Sequence, residues 1–221
     1  MLYALRDPVS FLLLLASTVV ALTLHGWITS LVAARSGDRQ IALTGRLRPD
    51  PRRHIDPYGA LGALVGGIGW SVPVALPARR SKGALIAIAL TGGLALVGVG
   101  MLLLLVLHLS SQVSTGGARV TAVLRAGTGG GSLGQRALLL SSVVFLSTGI
   151  LSLLPLPPLA GSRLLFGLAP RSGGWQRAEY QLEERNFGVL ALLVMSLLVP
   201  GLLYAIIDAF VTPLARLATG G

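Results

Sequence analysis

Four long apolar runs, at residues 9–34, 83–109, 137–158 and 187–212, are separated by shorter stretches in which the arginines collect. Each run reaches the roughly 20 residues an α-helix needs to cross a bilayer core of about 30 Å, so each predicts a transmembrane helix. A fifth apolar stretch, 58–78, has a different texture. It reads YGALGALVGGIGWSVPVALPA, with five Gly and two Pro, a density that makes a poor straight helix. Irregular backbone at membrane depth is tolerated only where protein shields it or where it lines a wet cavity. Residues 58–78 therefore predict a re-entrant hairpin. The expected fold is an all-α polytopic membrane protein, a single membrane domain over 1–221 with about four transmembrane helices plus this Gly/Pro-rich hairpin.

The first run is too long for the apolar region of a signal peptide, and no small-x-small cleavage site precedes a soluble domain, so it is expected to stay in place. Composition agrees with a membrane protein. The chain is 53% hydrophobic and 12% charged, with mean hydropathy +0.77, and lacks the polar surface to cover a soluble domain. A net charge of +10 raises the question of nucleic acid, but the arginines lie in short loops between apolar runs, as they do when positive charge sets topology. No nucleic-acid partner is expected.

Charge distribution also bears on the hairpin. If 58–78 returns to its own side, loops 35–57, 79–82 and 159–186 share one face with thirteen of the eighteen Lys/Arg. Arg6, Arg119, Arg125, Arg136 and Arg216 take the other face. If 58–78 spans, the split is ten to eight and the bias vanishes. The positive-inside rule thus favours the hairpin, with the N-terminus outside and loops 35–57 and 159–186 cytoplasmic.

Candidate chemistry is sparse. No cysteine is present, which excludes disulfides, thiolate metal sites and a Cys nucleophile. Residues 24–30 read LHGWITS, the spacing of the zinc motif His-Glu-x-x-His with His25 in the first position, Gly26 where the base would stand and Thr29 where the second imidazole would stand. His25 lies toward the cytoplasmic end of the first span, at the depth where the third span ends in LLPLPPLAGSR, so the two are expected to face one another. His108 falls at the outer end of the second span and reads as interfacial. Gly129-x-Gly131-x-x-Gly134 matches the dinucleotide fingerprint by letter, but no strand precedes it, and a flexible outer linker is expected. Residues 171–186 predict a short surface helix whose Arg177, Glu179, Glu183 and Glu184 form a solvated face. Trp70, Trp175 and Tyr58 fit an interfacial belt. Apart from His25 and Asp208 the spans carry almost no ionisable group, which argues against a transporter or channel.

Three separated segments now carry a resemblance. Residues 37–61 contain Gly45-Arg46-Leu47 and His54-Ile55-Asp56-Pro57, residues 69–77 read GWSVPVALP, and residues 155–165 read PLPPLAGSRLL. In this order and register the chain resembles the site-2 protease group of intramembrane zinc metalloproteases (peptidase family M50), in its minimal bacterial form. The resemblance implies a zinc site near the cytosolic face, with the hairpin shaping access. Carried over position by position, the first zinc His falls on His25, the general base on Gly26, the second zinc His on Thr29 and the zinc Asp on Ala160. A polar Asn of the next helix falls on Leu96.

A catalytic zinc takes three protein ligands and a positioned base, and of these only His25 remains. His54, Asp56 and Asp50 are weak substitutes, better read as caps or hairpin anchors. The resemblance thus implies a pseudoprotease in a bacterial cytoplasmic membrane, its vestigial site toward the cytoplasm and no metal or other cofactor bound. It would bind or regulate a membrane partner, a transmembrane client or an active protease of regulated intramembrane proteolysis. The glycine faces Gly92-Gly93 and Gly98-x-Gly100 would allow close approach of such a partner. An active zinc-dependent protease with an atypical site is the alternative, and a small membrane scaffold or transporter subunit the third reading.

Overall fold

The computed structural model describes residues 7–74, 81–111, 132–170, 172–198 and 200–219. Several residues singled out by sequence lie outside these: Arg6, Arg79, Arg80, Arg119, Arg125, Arg171, Gly129, Gly131 and the end of the predicted hairpin, 75–78.

Among the described residues three helices are long and apolar enough to cross a membrane: α1 (Pro8–Arg35), α5 (Lys82–Ser111) and α6 (Leu133–Leu153). The chain is built as an integral membrane protein. Asp7 caps α1 by accepting from the Val9 amide at 3.2 Å, with Pro8 in the first turn. Arg136 in α6 pairs with Asp7 and donates to Ser10 Oγ at 2.6 Å, tying the two helix ends together. Ser132 and Gln135 close a capping box at the start of α6.

The helices meet through small residues. A Cβ on Gly149 would lie 2.8 Å from the Gly93 carbonyl oxygen, and one on Gly100 would lie 2.7 Å from Leu146. Bare backbone lets α5 and α6 approach closely, and Leu96, Leu104, Leu140, Leu146 and Leu151 are buried around the seam. Gly93 meets Ser152 and Leu153, and Gly92 meets α1. The glycine faces expected to receive a partner are therefore spent inside the chain, except at Gly98, which has nothing near it.

The fourth apolar run is not one straight helix. It forms α9 (Phe187–Leu198) and α10 (Pro200–Thr219), bent by 87°. Proline at position 200 has no amide hydrogen with which to continue a helix from α9, and proline is well tolerated in the first turn of a new one. The third run also stops early, at Leu153 rather than 158, because Pro155, Pro157 and Pro158 disfavour the helical conformation in the residues before them.

Short elements also lie in two of the loops. Between α1 and α5 lie α2 (Arg39–Leu43), α3 (Pro51–His54) and α4 (Pro57–Gly66), and between α6 and α9 lie α7 (Ser162–Leu168) and α8 (Gly173–Glu179), which continues as a π-helical turn, Tyr180–Glu184.

The described part of the hairpin goes out as a helix and comes back extended. Asp56 caps α4 by accepting from the Gly59 amide at 2.8 Å, and α4 runs ten residues, about 15 Å, or half a bilayer core. Gly67 then takes φ +76°, the left-handed conformation that ends a helix cheaply only at glycine. The chain returns so far that Ser71 bridges Ile55, and the Val72 amide donates to the His54 carbonyl at 2.8 Å.

Candidate functional site

His25 sits in α1 with its neighbours turned inward by helical spacing. Positions 25 and 29 share a face, four residues apart. The Thr29 hydroxyl donates to the His25 carbonyl at 2.7 Å, and Ser30 does the same to Gly26 at 2.7 Å, so both hydroxyls are satisfied within the helix. His25 is 5% exposed. Its Nδ1 lies 2.7 Å from Ser71 Oγ on the returning hairpin arm, and its Nε2 has no partner. A Cβ on Gly92 of α5 would come within 2.9 Å of that nitrogen and 2.5 Å of Thr29 Oγ1. Glycine at 92 thus leaves room for the imidazole edge.

The turn after α6 closes the other side. The Gly161 amide donates to the Ser152 carbonyl at 2.8 Å, and a Cβ at 161 would overlap the Leu153 and Leu154 carbonyls. This tight turn carries Pro158, Leu159, Ala160 and Arg163 into one pocket with His25, Thr29 and the hairpin residues Gly69 to Val74. Three of the five positions named by the resemblance, His25, Thr29 and Ala160, therefore line one cavity.

Gly26 faces away from that cavity, toward His54. A Cβ there would lie 2.9 Å from both Cβ and Nδ1 of His54. His54 is fully buried, its Nε2 lies 2.9 Å from the Arg48 carbonyl and its Nδ1 is unpartnered. A carbonyl accepts only, so Nε2 carries the proton. Burial holds the His54 pKa below its ordinary value, opposed by the bond to the Arg48 carbonyl. Leu96 is buried in the α5 core.

The substitute donors go elsewhere. Asp56 caps α4, and Asp50 caps α3 by accepting from the Arg52 amide at 3.0 Å while pairing with Arg53 at 3.4 Å. Among the described residues no three His, Asp or Glu side chains are placed to hold a metal ion. At the four zinc and base positions the chain supplies one imidazole nitrogen at His25, one hydroxyl already committed to a carbonyl at Thr29, and no donor at Ala160 or Gly26. The other side-chain oxygens lining the pocket belong to the neutral hydroxyls of Ser71, Thr148 and Ser152. This donor set does not fit a catalytic zinc.

Three residues of the site were not singled out by sequence. Arg46 donates to the carbonyls of Val72 at 2.7 Å and Pro73 at 3.1 Å, and so holds the returning arm. Burial and the nearby Arg163 both lower its pKa. Arg163 lines the pocket, its pKa lowered by burial and raised in part by Glu183 and Glu179. Ser71 is the hydroxyl partner of His25. Sequence alone assigns neither arginine a role in the site beyond topological charge. Their setting in the GRL and AGSR segments of the resemblance was the available signal, and Ser71 is the one hydroxyl in GWSVPV.

No protein-family profile and no solved structure matches the chain. Over 202 residues, 89% of this chain and 86% of the other, it is 31% identical to "Putative zinc metalloprotease YwhC" of Bacillus subtilis (strain 168).

Proposed function

The chain belongs to the metalloprotease-like family of YwhC, and on that premise we propose that it is a non-catalytic member of the site-2 protease group, a pseudoprotease that binds a membrane-embedded client. The observation carrying this reading is the meeting of His25, Thr29 and Ala160 in one pocket with a single metal-binding atom among them. The family register supports the scaffold, and the missing donors remove the chemistry. Without two ligands and a base there is neither a bound hydroxide nor an acceptor for its proton. The pocket then serves recognition, with the hairpin and the α6–α7 turn as its walls. The protein sits in the bacterial cytoplasmic membrane with this pocket toward the cytoplasm, as the arginine bias of the loops supports.

A transmembrane reporter incubated with the purified protein tests the reading. It predicts co-purification of the reporter and no cleavage. Cleavage abolished by a metal chelator overturns it in favour of an active protease with an atypical site, a reading favoured by the relative's printed name and by the unpartnered His25 Nε2. Restoring Gly26→Glu, Thr29→His or Ala160→Asp singly is expected to give no activity, because such groups act as a unit. The triple restoration is the variant that can regain zinc, and the carboxylate side chain it adds at position 26 must also displace the His54 ring.

A further inference from the structure

The pocket wall is charged in one sense only. Among its lining residues Arg163 is the single formal charge, and no Asp or Glu of the described residues joins it. The zinc-ligand Asp of the resemblance has become Ala160, three residues before that guanidinium. Glu183, which accepts from Ser162 Oγ at 3.2 Å, and Glu179 act on Arg163 from the α8 side, outside the pocket wall. Arg46, whose hydrogen bonds go to neutral carbonyls, adds a second cation close enough to repel Arg163.

The His25–Ser71 pair contributes a donor whichever way its own bond runs. A neutral imidazole and a hydroxyl hold two polar protons, and their mutual hydrogen bond uses one. If Ser71 donates to Nδ1, the free proton is on Nε2, which is buried without a partner. If Nδ1 donates, the free proton is on Ser71 Oγ. The Thr29 and Ser152 hydroxyls are committed to backbone carbonyls at 2.7 Å each. The pocket thus offers one guanidinium and one neutral donor from the His25–Ser71 pair, and its lining also includes the unpartnered Trp70 indole N–H and the Thr148 hydroxyl but no acidic side chain. A singly charged planar anion matches this set, since guanidinium and carboxylate pair in shape as well as charge.

Resting on the client-binding reading above, we propose that this pocket is a carboxylate-binding subsite, in which Arg163 and the His25–Ser71 pair hold a carboxylate of the bound polypeptide. The carboxylate is a chain terminus or an acidic side chain, and the site does not transform it.

Three labelled, mainly Leu/Ala transmembrane peptides titrated into the detergent-solubilised full chain test this. One ends in a free carboxylate, one in an amide, and one in an amide with a single Asp near that end. At least one carboxylate peptide is expected to bind about tenfold tighter than the plain amide, and whichever does so identifies the source. Arg163→Gln is expected to erase the preference, Arg163→Lys to keep part of it, and Arg177→Gln, on the exposed face of α8, to leave it unchanged. Equal binding of all three peptides, or a preference that survives Arg163→Gln, overturns the subsite and leaves client binding standing. No binding of any peptide overturns client binding and the subsite together. Displacement of the acid peptides by oleate, but not by oleyl alcohol, at lower concentration than by unlabelled acid peptide assigns the site to lipid and overturns the polypeptide assignment.

Discussion

The α5–α6 seam and the hairpin site are held together by different means. In the seam the backbones themselves touch, glycine against carbonyl, with leucines filling the flanks. In the hairpin site the returning arm has one bridge to Ile55 and is otherwise pinned by side chains: Ser71 by His25, the Val72 and Pro73 carbonyls by Arg46. Trp27 adds a similar tie, its Nε1 donating to the Leu47 carbonyl at 2.8 Å. A seam of touching backbones tolerates almost no added volume. A site tied by single hydrogen bonds tolerates loss of any one group, because each contributes about 1 kcal/mol. On the proposed reading, such a site keeps its walls without the catalytic donors.

The sharpest way to break this contrast is to put bulk into the seam. Gly149→Leu would drive a side chain into the Gly93 carbonyl and Val97, and overpacking of this kind costs about 3 kcal/mol. Thermal unfolding in detergent is expected to shift downward strongly, with α5 and α6 losing amide protection together. Arg46→Ala comes next. It frees two carbonyls from a charged donor, at about 2 kcal/mol, and hydrogen exchange is expected to rise across 68–74 while α5 and α6 stay protected. Equal loss of protection in both regions would show that they are one cooperative unit.

His25→Ala and Ser71→Ala are expected to cost about 1 kcal/mol each, and the double variant little more than either, since they share one bond. A strictly additive double variant would mean that the bond contributes nothing.

The smallest effect is a pH dependence at His54. Its folded pKa lies below the ordinary value of 6.5. Above that value the ring is neutral folded and unfolded, and stability is fully present. As pH falls below it the unfolded chain takes up the proton first, and stability declines until the folded pKa is reached. His54→Gln is expected to flatten this slope in a pH series of melting temperatures.

Much of this arrangement is legible in the residues. Hydropathy alone places α1, α5 and α6, and Gly/Pro density with arginine bias places the turn-back after Tyr58. The depth argument for His25 and the Pro-rich exit of the third span puts them in one pocket. What hydropathy misses is direction. Pro200 sits in an unbroken apolar run, so nothing in polarity marks the 87° bend. Gly92, Gly93 and Gly100 announce close approach but not to whom, and they are used within the chain. The pairing of Ser71 with His25 spans 46 residues and follows only once Gly67 has turned the backbone. Arg46 and Arg163 count equally with solvated arginines in a sequence. Their burial exists only in three dimensions.

Zinc content of the wild-type protein, purified in detergent at neutral pH without chelators, tests the central claim most directly. With one imidazole nitrogen and no second strong donor in the pocket, stoichiometric zinc is not expected. About one zinc per chain, lost on His25→Ala, would contradict the account.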